Sequence, residues 1–302
     1  MLKETIRLDN LPKLSPDQEG LAVLGYPIKH SISPEIHTAA LKVLAGSFSE
    51  FSRWSYDKIE VEPGTLAKAL PILADYGYRG LNLTIPHKVD VLAHLELIDE
   101  PARVMGAVNT LSLENGQWKG YNTDGFGLSK AIEDAFSYSL KDFQVIVLGA
   151  GGAARAAVAQ CIFEGCSRVS VYNRSIERAH LLSSALKENE LNQDVLLLES
   201  FCNPYDGNTD PVLIINATSL GLRLEDPSPV DLAAVNGNIY VYDMVYNPPV
   251  TQLMTEGKKK GYPVANGLGM LVGQAARSLE IWAGREVSIQ AMSEAAQAAI
   301  SA

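Results

Sequence analysis

A Gly-rich turn between an apolar run and an Ala-rich run constrains the fold more than any other stretch of the chain. Residues 143–155 read FQVIVLGAGGAAR, which predicts a buried parallel strand, a tight turn and a helix of about three turns. Gly149, Gly151 and Ala154 have the spacing of the dinucleotide-binding fingerprint, in which the N-terminus of the helix holds a pyrophosphate. The pattern indicates a Rossmann-type, doubly wound domain, with an ordinary strand-to-helix turn as the alternative.

The next predicted strand, residues 168–172, ends in a basic and hydroxyl-bearing sequence. Asn173, Arg174 and Ser175 follow the strand, and Arg178 lies one helical turn later. An NAD site normally places Asp or Glu near this position, on the ribose 2′-hydroxyl. Guanidinium groups suit a 2′-phosphate instead, because arginine binds phosphate in bidentate fashion. A solvated helix start is the alternative, but basic residues are unfavourable there without an anion. We therefore expect NADP rather than NAD.

In the first part of the chain, predicted strands and helices alternate, and one helix begins beside two serines. Ser33 and Pro34 predict a helix start, with Ser33 as the N-cap and Pro34 in the first turn. Ser31 has no such structural role in the sequence. Two hydroxyl groups beside an open helix N-terminus suit a carboxylate, so this pair is a candidate anion pocket.

Two charged residues, Lys88 and Asp124, stand where ligands of α/β domains gather. Lys88 follows a predicted strand over residues 80–86, and ligands bind beyond the carboxyl ends of such strands. Asp124 precedes a helix predicted from Phe126 onwards. A surface lysine and a helix N-cap are the plain alternatives for the two residues.

The same reasoning indicates two polar residues in the second half of the chain as candidate site residues. Thr218 comes two residues after the end of a strand predicted over residues 212–216, on the side expected for the cofactor. Gln274 is the isolated amide of an apolar helix that starts near Asn266. A buried amide needs a hydrogen-bond partner, which is either neighbouring backbone or a ligand hydroxyl.

Length and charge limit the classes of function. The 302 residues suffice for two domains, and the net charge of −10 argues against nucleic acid or an acidic membrane surface as the main partner. No apolar run reaches the roughly 18 residues of a membrane span. The three cysteines form no C-x-x-C pair and predict reduced thiols in a cytoplasmic protein. Residues 1–20 lack the apolar segment of a signal peptide, and we expect a mobile extension there.

Six motifs in chain order resemble the shikimate dehydrogenase family, and the resemblance extends over about residues 21–282. Each motif alone is weak evidence, whereas the six in order are specific. His87 is a small departure, since many relatives carry an aromatic residue there. The motifs are Ser31-x-Ser33-Pro34, Asn82-x-Thr84-x-Pro86-x-Lys88, Gly106-Ala107-Val108-Asn109-Thr110, Asn122-Thr123-Asp124-Gly125, Gly149-Ala150-Gly151-Gly152, and Gly267-Leu268-Gly269-Met270-Leu271 with Gln274.

The resemblance implies an α/β protein of two domains. The substrate-binding domain would comprise residues 1–123 and, because the C-terminal helices return to it, residues 266–302. The NADP-binding Rossmann domain would comprise residues 124–265. The implied activity is the reversible NADP-linked reduction of 3-dehydroshikimate to shikimate. Lys88 and Asp124 would stand at the reacting carbonyl, and the sequence leaves open which of them gives the proton.

The resemblance also implies the remaining site residues, and no metal-ligand cluster is apparent. The implied substrate-binding residues are Ser31, Ser33, Thr84, Asn109, Tyr246 and Gln274. The implied cofactor-binding residues are Gly149, Ala150, Gly151, Gly152, Ala153, Asn173, Arg174, Ser175, Arg178, Thr218 and Gly267.

Two other functions stay open. One is a quinate/shikimate dehydrogenase that uses NAD, and the lack of an acidic residue directly after the second strand argues against it. The other is a ligand sensor of the same fold without turnover, which could lose Lys88, Asp124 or the glycines without penalty, yet all are present. The expected partner is a small molecule, and a homodimer remains open.

Overall fold

A computed structural model describes residues 4–188, 194–202 and 210–301 of the chain. The chain divides into two compact units, Met1–Asp124 with Val272–Ala302, and Gly125–Leu271. Residues 266–271 therefore belong to the second unit, whereas the resemblance assigned them to the first. The reason is local, because Gly267 donates its backbone N–H to the carbonyl of Val245 within the second unit, at 3.2 Å.

Strands and helices are numbered in chain order. The strands are β1 (Thr5–Arg7), β2 (Glu19–Gly25), β3 (Trp54–Glu60), β4 (Tyr78–Leu83), β5 (Leu97–Ile98), β6 (Thr110–Glu114), β7 (Gln117–Tyr121), β8 (Gln144–Leu148), β9 (Val169–Tyr172), β10 (Leu196–Leu198), β11 (Val212–Asn216), β12 (Ile239–Asp243) and β13 (Val264–Asn266). The helices are α1 (Ser33–Ser47), α2 (Leu66–Asp75), α3 (His87–Asp90), α4 (Glu100–Met105), α5 (Asp124–Phe136), α6 (Gly152–Phe163), α7 (Ile176–Glu188), α8 (Gln252–Lys259), α9 (Leu268–Ala283) and α10 (Ile289–Ile300).

The first unit contains a mixed seven-stranded sheet of order β1-β3-β2-β4-β6-β7-β5. β4 runs antiparallel to β6, and β6 pairs antiparallel with β7 through a hairpin turn at Asn115 and Gly116. Both turn residues have positive φ, 51° and 80°, as a type I′ turn requires. In this register Asn82, Thr110 and Tyr121 lie side by side on adjacent strands. The segments that follow β4, precede β6 and follow β7 therefore meet at one end of the sheet.

The N-terminal residues belong to this sheet, so the expectation of a mobile extension is wrong for residues 4–20. β1 pairs in parallel with the C-terminal half of β3, from Lys58 to Glu60. Leu11 is buried in the core of the unit, and Leu14 donates its backbone N–H to the carbonyl of Tyr76 at 3.0 Å. Apolar burial and backbone pairing hold this segment in place.

The second unit contains six parallel strands in the order β10-β9-β8-β11-β12-β13. Counted along this unit, the order is 3-2-1-4-5-6, which is that of a dinucleotide-binding Rossmann fold. All residues of the central strands β8 and β11 are buried, as expected for strands covered on both faces. The predicted two-domain α/β fold is thereby confirmed. Among the described residues, the helices are too short or too polar to cross a bilayer.

Gly80 of β4 packs against the indole of Trp282, and we expect Gly80→Ala to destabilise the protein. A Cβ atom at position 80 would lie 2.5 Å from Cε2 of Trp282, a buried ring whose Nε1 donates to the carbonyl of Leu111 at 2.9 Å. Such overpacking costs about 1–3 kcal/mol of the free energy of unfolding. Urea denaturation of the two proteins measures the loss. Gly46→Ala is the matched control, because that site in α1 has open space and should gain up to about 1 kcal/mol. Equal stability of Gly80→Ala and the natural protein would contradict this packing.

Candidate active site

Lys88 and Asp124 form an ion pair at the end of the first sheet. The Nζ atom of Lys88 donates to Oδ2 of Asp124 at 2.7 Å. The Lys88 side chain is 32% exposed and that of Asp124 only 9%, so solvent or a ligand reaches the ammonium but not the carboxylate. The backbone N–H of Val108 donates to the carbonyl of Lys88 at 2.8 Å, which fixes α3 to the segment before β6. Lys88 is therefore not simply a surface lysine, which was the plain alternative for this residue.

Asp124 is the first residue inside α5 and does not stand in the N-cap position before the helix. Oδ1 of Asn122 accepts the backbone N–H of Asp124 at 3.0 Å. The carboxylate oxygens of Asp124 bind Lys88 and the side-chain amide of Asn109. Asp124 thus lies one position beyond that of an N-cap, and both of its carboxylate oxygens are hydrogen-bonded in the polar cluster.

Asn109 lies at the centre of this cluster, and a backbone group fixes its orientation. The N–H of Thr123 donates to Oδ1 of Asn109 at 2.8 Å. Since a backbone N–H only donates, the Nδ2 group of Asn109 must face the other way. There it lies within 3.0 Å of Oδ1 of Asp124 and 3.1 Å of Oε1 of Gln274.

Gln274 consequently presents its oxygen to Asn109 and keeps its own amide group for another partner. Within the described part of the chain, its Nε2 group makes no hydrogen bond. The predicted need of Gln274 for a partner is met by a side chain, which was neither of the two alternatives raised by the sequence. One half of the amide is anchored and the other half can donate to an oxygen of a ligand.

Ser31 and Ser33 lie together at the start of α1. Oγ of Ser31 donates to Oγ of Ser33 at 3.2 Å and accepts the backbone N–H of Ser33 at 3.3 Å. Ser33 is the first residue inside the helix and Ile32 holds the N-cap position, so the predicted N-cap role of Ser33 is wrong. Ser31 has the local structural role that the sequence did not show, since its oxygen faces the first N–H of the helix.

Buried residues of β3 support the serine pair. The hydroxyl of Tyr56 is fully buried, hydrogen-bonds with Ser33, and donates to Oδ1 of Asn82 at 2.7 Å. Burial raises the pKa of this phenol well above its usual value, so Tyr56 is neutral at physiological pH. Lys58 is also buried and donates from Nζ to the carbonyl of Lys29 at 3.0 Å. Both side chains tie the serine-bearing segment to the sheet.

Thr84 follows β4 and lies two residues beyond Asn82. Its backbone N–H donates to the carbonyl of Leu24 at 2.9 Å, which holds the segment against β2. Its half-buried hydroxyl makes no hydrogen bond with other described residues.

His87, the departure noted in the sequence, is fully buried and bonds from Nε2 to the carbonyl of Val61 at 2.8 Å. It therefore has a structural role at the start of α3.

His37 of α1 is buried as a neutral imidazole, and this gives a testable dependence of stability on pH. It stacks on Tyr56 at a centroid distance of 4.0 Å, and burial lowers its pKa to about 4. Between pH of about 6.5 and about 4, the unfolded chain binds a proton at His37 and the folded chain does not. The free energy of unfolding should therefore fall by about 3 kcal/mol as the pH drops through this window.

Urea denaturation at several pH values between 7 and 4 tests this expectation. His37→Phe keeps an aromatic ring next to Tyr56 and should show a shallower loss of stability towards low pH than the natural protein. His94→Gln changes an exposed histidine and should keep the natural pH dependence. The expectation fails if His37→Phe and the natural protein lose stability in parallel.

In the second unit, the Gly-rich turn between β8 and α6 forms an open cradle. Gly149 has a φ of +113°, and a Cβ there would lie 3.1 Å from the carbonyl oxygen of Ala217. Gly151 and Gly152 have nothing within 4 Å of an added Cβ, so the space above them is free. The N-cap residue of α6 is Gly151, which has no side chain with which to cap the helix. Ala150 lies in the turn and Ala153 in the first turn of α6, and Ala154 is fully buried where the helix packs on the strand. The cradle fits the pyrophosphate of a dinucleotide.

The end of β9 carries the predicted basic residues, together with an acidic one that the sequence analysis missed. Arg174 and Arg178 are exposed and form no ion pair within the described residues. Asn173 donates from Nδ2 to the carbonyl of Ser175 at 2.8 Å. The hydroxyl of Ser175 donates to Oε2 of Glu177 at 2.6 Å, and this bond lowers the pKa of the Glu177 carboxyl. The two guanidinium groups are free to bind a phosphate.

The remaining predicted residues of the second unit lie near the ends of β11, β12 and β13. Thr218 follows β11, and its hydroxyl donates to Oδ1 of Asn216 at 2.7 Å. Tyr246 is half-buried after β12, and burial raises the pKa of its phenol. Gly267 follows β13, and a Cβ there would overlap the carbonyl oxygen of Met244. The buried carboxylate of Asp243, a residue that the sequence analysis did not single out, joins Asn216 at 2.9 Å.

The cysteines and the acidic residues provide no metal site in the described ranges. There, no three His, Cys, Asp or Glu side chains are grouped so as to hold a metal ion. Cys161 and Cys166 are buried free thiols, and Cys202 is an exposed one.

Comparisons with known proteins find one family along the chain. Family models match in three places: the shikimate dehydrogenase substrate binding domain at residues 23–111, shikimate / quinate 5-dehydrogenase at 130–203, and the shikimate 5′-dehydrogenase C-terminal domain at 267–297. A curated relative, the shikimate dehydrogenase (NADP(+)) of Citrifermentans bemidjiense, is 38% identical over 269 residues, 87% of this chain and 89% of that protein. The chain belongs to the shikimate dehydrogenase family.

Solved structures extend the likeness to the fold. The shikimate 5-dehydrogenase of Thermus thermophilus, in complex with NADP(H) and shikimate, is 33% identical with a TM-score of 0.79, covering 93% of this chain and 100% of that one. The 5-ketofructose reductase of a Gluconobacter strain is 29% identical with a TM-score of 0.81, covering 93% and 98%. The resemblance read from the six motifs is confirmed, and the second neighbour shows that a protein of this fold can be named for a different substrate.

In this shikimate dehydrogenase family member, the candidate site residues are predictable from the sequence, whereas most of the side chains that support them are not. Tyr56, Ser278 and Glu177 each contact a predicted site residue. Glu177 is predictable if the first turn of α7 is considered together with the residues that follow β9, because it is the acidic residue of that turn. No sequence signal marks Tyr56 or Ser278, because a tyrosine in a strand and a serine in a helix are ordinary.

Proposed function

We infer that the protein catalyses the reversible NADPH-linked reduction of 3-dehydroshikimate to shikimate, in the shikimate pathway of aromatic amino-acid biosynthesis. The observation that supports this best is the hydrogen-bonded cluster Lys88–Asp124–Asn109–Gln274 within the first unit. It offers an ammonium and an amide donor on neighbouring side chains, which a polyhydroxylated ring with a carbonyl group requires. Family membership supports the reaction and the cofactor.

We assign the proton transfer to Lys88. NADPH, when bound, supplies the hydride that the carbonyl carbon receives. The Lys88 ammonium stabilises the negative charge that develops on the carbonyl oxygen and gives that oxygen a proton. Asp124 holds the Lys88 nitrogen in position at 2.7 Å. The resulting amine regains its proton from solvent, to which the side chain is 32% exposed.

Six residues are assigned to the substrate. Ser31 and Ser33 would bind the carboxylate with their hydroxyl groups beside the start of α1, with Tyr246 as a further hydroxyl donor. Thr84, with its free hydroxyl, and Gln274, with its free Nε2 group, would bind the ring hydroxyls. Asn109 would accompany them, although most of its amide capacity is used by Thr123, Asp124 and Gln274.

The second unit is assigned to NADP. The cradle from Gly149 to Ala153 would hold the pyrophosphate, with Thr218 and Gly267 at the neighbouring strand ends. Asn173, Arg174, Ser175 and Arg178 would hold the 2′-phosphate. Glu177 competes for the Ser175 hydroxyl, which it already binds at 2.6 Å.

Absorbance at 340 nm with the purified protein tests the proposal. Shikimate and quinate are each combined with NADP+ and NAD+, and 5-ketofructose is combined with NADPH. We expect turnover mainly with shikimate and NADP+. Comparable turnover of quinate with NAD+ would favour the quinate/shikimate dehydrogenase. Turnover of 5-ketofructose alone would mean that the substrate is a keto sugar and not shikimate. Binding of shikimate without any turnover would favour a sensor.

The homodimer and the cytoplasmic location are predictions from the sequence. A homodimer is tested by light scattering after size-exclusion chromatography, where a mass near 32.6 kDa would mean a monomer. The cytoplasm is the compartment in which the reduced thiols of Cys161 and Cys166 would persist.

A further inference from the structure

We propose that Ser278 is a positioning residue of the active site, and the proposal rests on the function inferred above. Ser278 lies on α9, one helical turn after Gln274, and is fully buried. Its hydroxyl donates to the carbonyl oxygen of Gln274 at 2.9 Å. This bond alone would be ordinary, because helical serines often bond to the carbonyl four residues earlier.

Three further contacts set this hydroxyl apart from an ordinary helical serine. Nδ2 of Asn82 donates to Oγ of Ser278 at 2.9 Å. The hydroxyl oxygens of Thr110 and Thr123 lie 2.8 Å and 3.1 Å from the same atom. Ser278 therefore joins α9 to three separate segments: β4, the start of β6, and the residues that follow β7.

Each partner of Ser278 is a site residue or lies close to one in the chain. Asn82 precedes Thr84 by two residues, Thr110 follows Asn109, and Thr123 precedes Asp124. The fourth partner is Gln274 itself. A single hydroxyl thus sets the spacing between the segments that carry the proposed ring-binding and proton-transfer groups.

The same network fixes the direction in which Gln274 can donate. Thr123 orients Asn109 through its backbone N–H, and Asn109 holds Oε1 of Gln274 at 3.1 Å. Ser278 holds the backbone of Gln274 and the side chain of Thr123 at once. Without the hydroxyl, buried partners lose a hydrogen bond, and water cannot replace it because Thr110 and Thr123 are 0% and 2% exposed. We expect α9 and the Gln274 amide to shift relative to Asn109.

The test is the steady-state kinetics of Ser278→Ala with shikimate and NADP+, alone and combined with Gln274→Ala. We expect kcat/KM for shikimate to fall about tenfold, which corresponds to roughly 1.4 kcal/mol, while KM for NADP+ stays unchanged. If Ser278 acts through Gln274, the double variant should be no worse than Gln274→Ala alone. Ser112→Ala on β6 is the matched control, since this buried hydroxyl makes no hydrogen bond with the described site residues.

The outcomes separate this proposal from the proposed function. No turnover by the natural protein overturns the function itself. Normal turnover by the natural protein and by Ser278→Ala overturns the positioning role alone. Fully additive losses in the double variant also overturn it, because a general loss of folded protein would act independently of Gln274. If Ser278→Ala does not fold, Ser278→Cys has nearly the same size with a weaker hydrogen-bonding group, and the same comparisons apply to it.

Discussion

Lys88→Ala is expected to lower kcat for shikimate oxidation by about 10²–10⁴, the usual contribution of a positioned acid or base. The substitution removes the assigned proton donor, and the carboxylate of Asp124 loses its bond to Nζ while keeping its hydrogen bond from Asn109. KM for NADP+ should change little, since the cofactor is assigned to the second unit. The measurement is the initial rate at 340 nm with saturating shikimate and NADP+.

Two comparisons make the Lys88 result specific. Lys68→Ala removes an exposed lysine of α2 and should leave kcat unchanged. Added methylamine should restore part of the activity of Lys88→Ala, because it can occupy the space of the missing ammonium and give a proton. Near-normal kcat in Lys88→Ala, with the protein folded as judged by thermal denaturation, would mean that another group supplies the proton.

Replacing both Arg174 and Arg178 by alanine is expected to raise KM for NADP+ by about 10²-fold, since each charge-assisted hydrogen bond contributes about 1.5–3 kcal/mol before solvent screening. KM for NAD+ should stay the same, because NAD+ lacks the 2′-phosphate. The preference for NADP+ over NAD+ would therefore collapse while kcat at saturation is retained. The measurement is KM for both cofactors at fixed, saturating shikimate.

Glu177→Gln provides the change of opposite sign. Removing its charge weakens the 2.6 Å hydrogen bond from the Ser175 hydroxyl and removes repulsion of the 2′-phosphate, so KM for NADP+ should fall. The fall should shrink at high salt, because the group is fully exposed and screened. Arg103→Ala, an exposed arginine of the first unit, should alter neither KM. Unchanged KM for NADP+ in the double arginine variant would mean that other groups hold the 2′-phosphate.

The sequence predicts the second unit well and the edge of the first one badly. The central strands β8 and β11 are short apolar runs that end in small or hydroxyl-bearing residues, and such runs have few other interpretations. β1 has three residues, which is too few for a period of two to appear. Its partner in β3 is about fifty residues away, and nothing local to Thr5–Arg7 points to it.

The candidate site is predictable where a residue type is unusual for its place. Lys88 and Asp124 are charged residues that follow strands, and Gln274 is an amide in an apolar helix. Each is unusual at its position, and this indicates a functional role. Their arrangement is not predictable, because it depends on the antiparallel register of β4, β6 and β7. For a similar reason, the sequence predicts Ser33 as the residue that caps the helix, whereas in the structure the oxygen of Ser31 accepts the first helical N–H. Which serine faces the first helical N–H depends on one residue's difference in where α1 begins, and sequence patterns do not determine such boundaries.

The three residues of β1 protect the outer side of β3 from self-association. Lys58, Ile59 and Glu60 have their outward backbone groups paired with β1, and without it they would offer a ready template for a strand of another molecule. A recombinant protein shortened to begin at β2 would retain all the assigned site residues, yet it would expose this apolar-centred edge. Loss of the N-terminal segment should therefore appear as poor solubility and aggregation rather than as a defect in turnover.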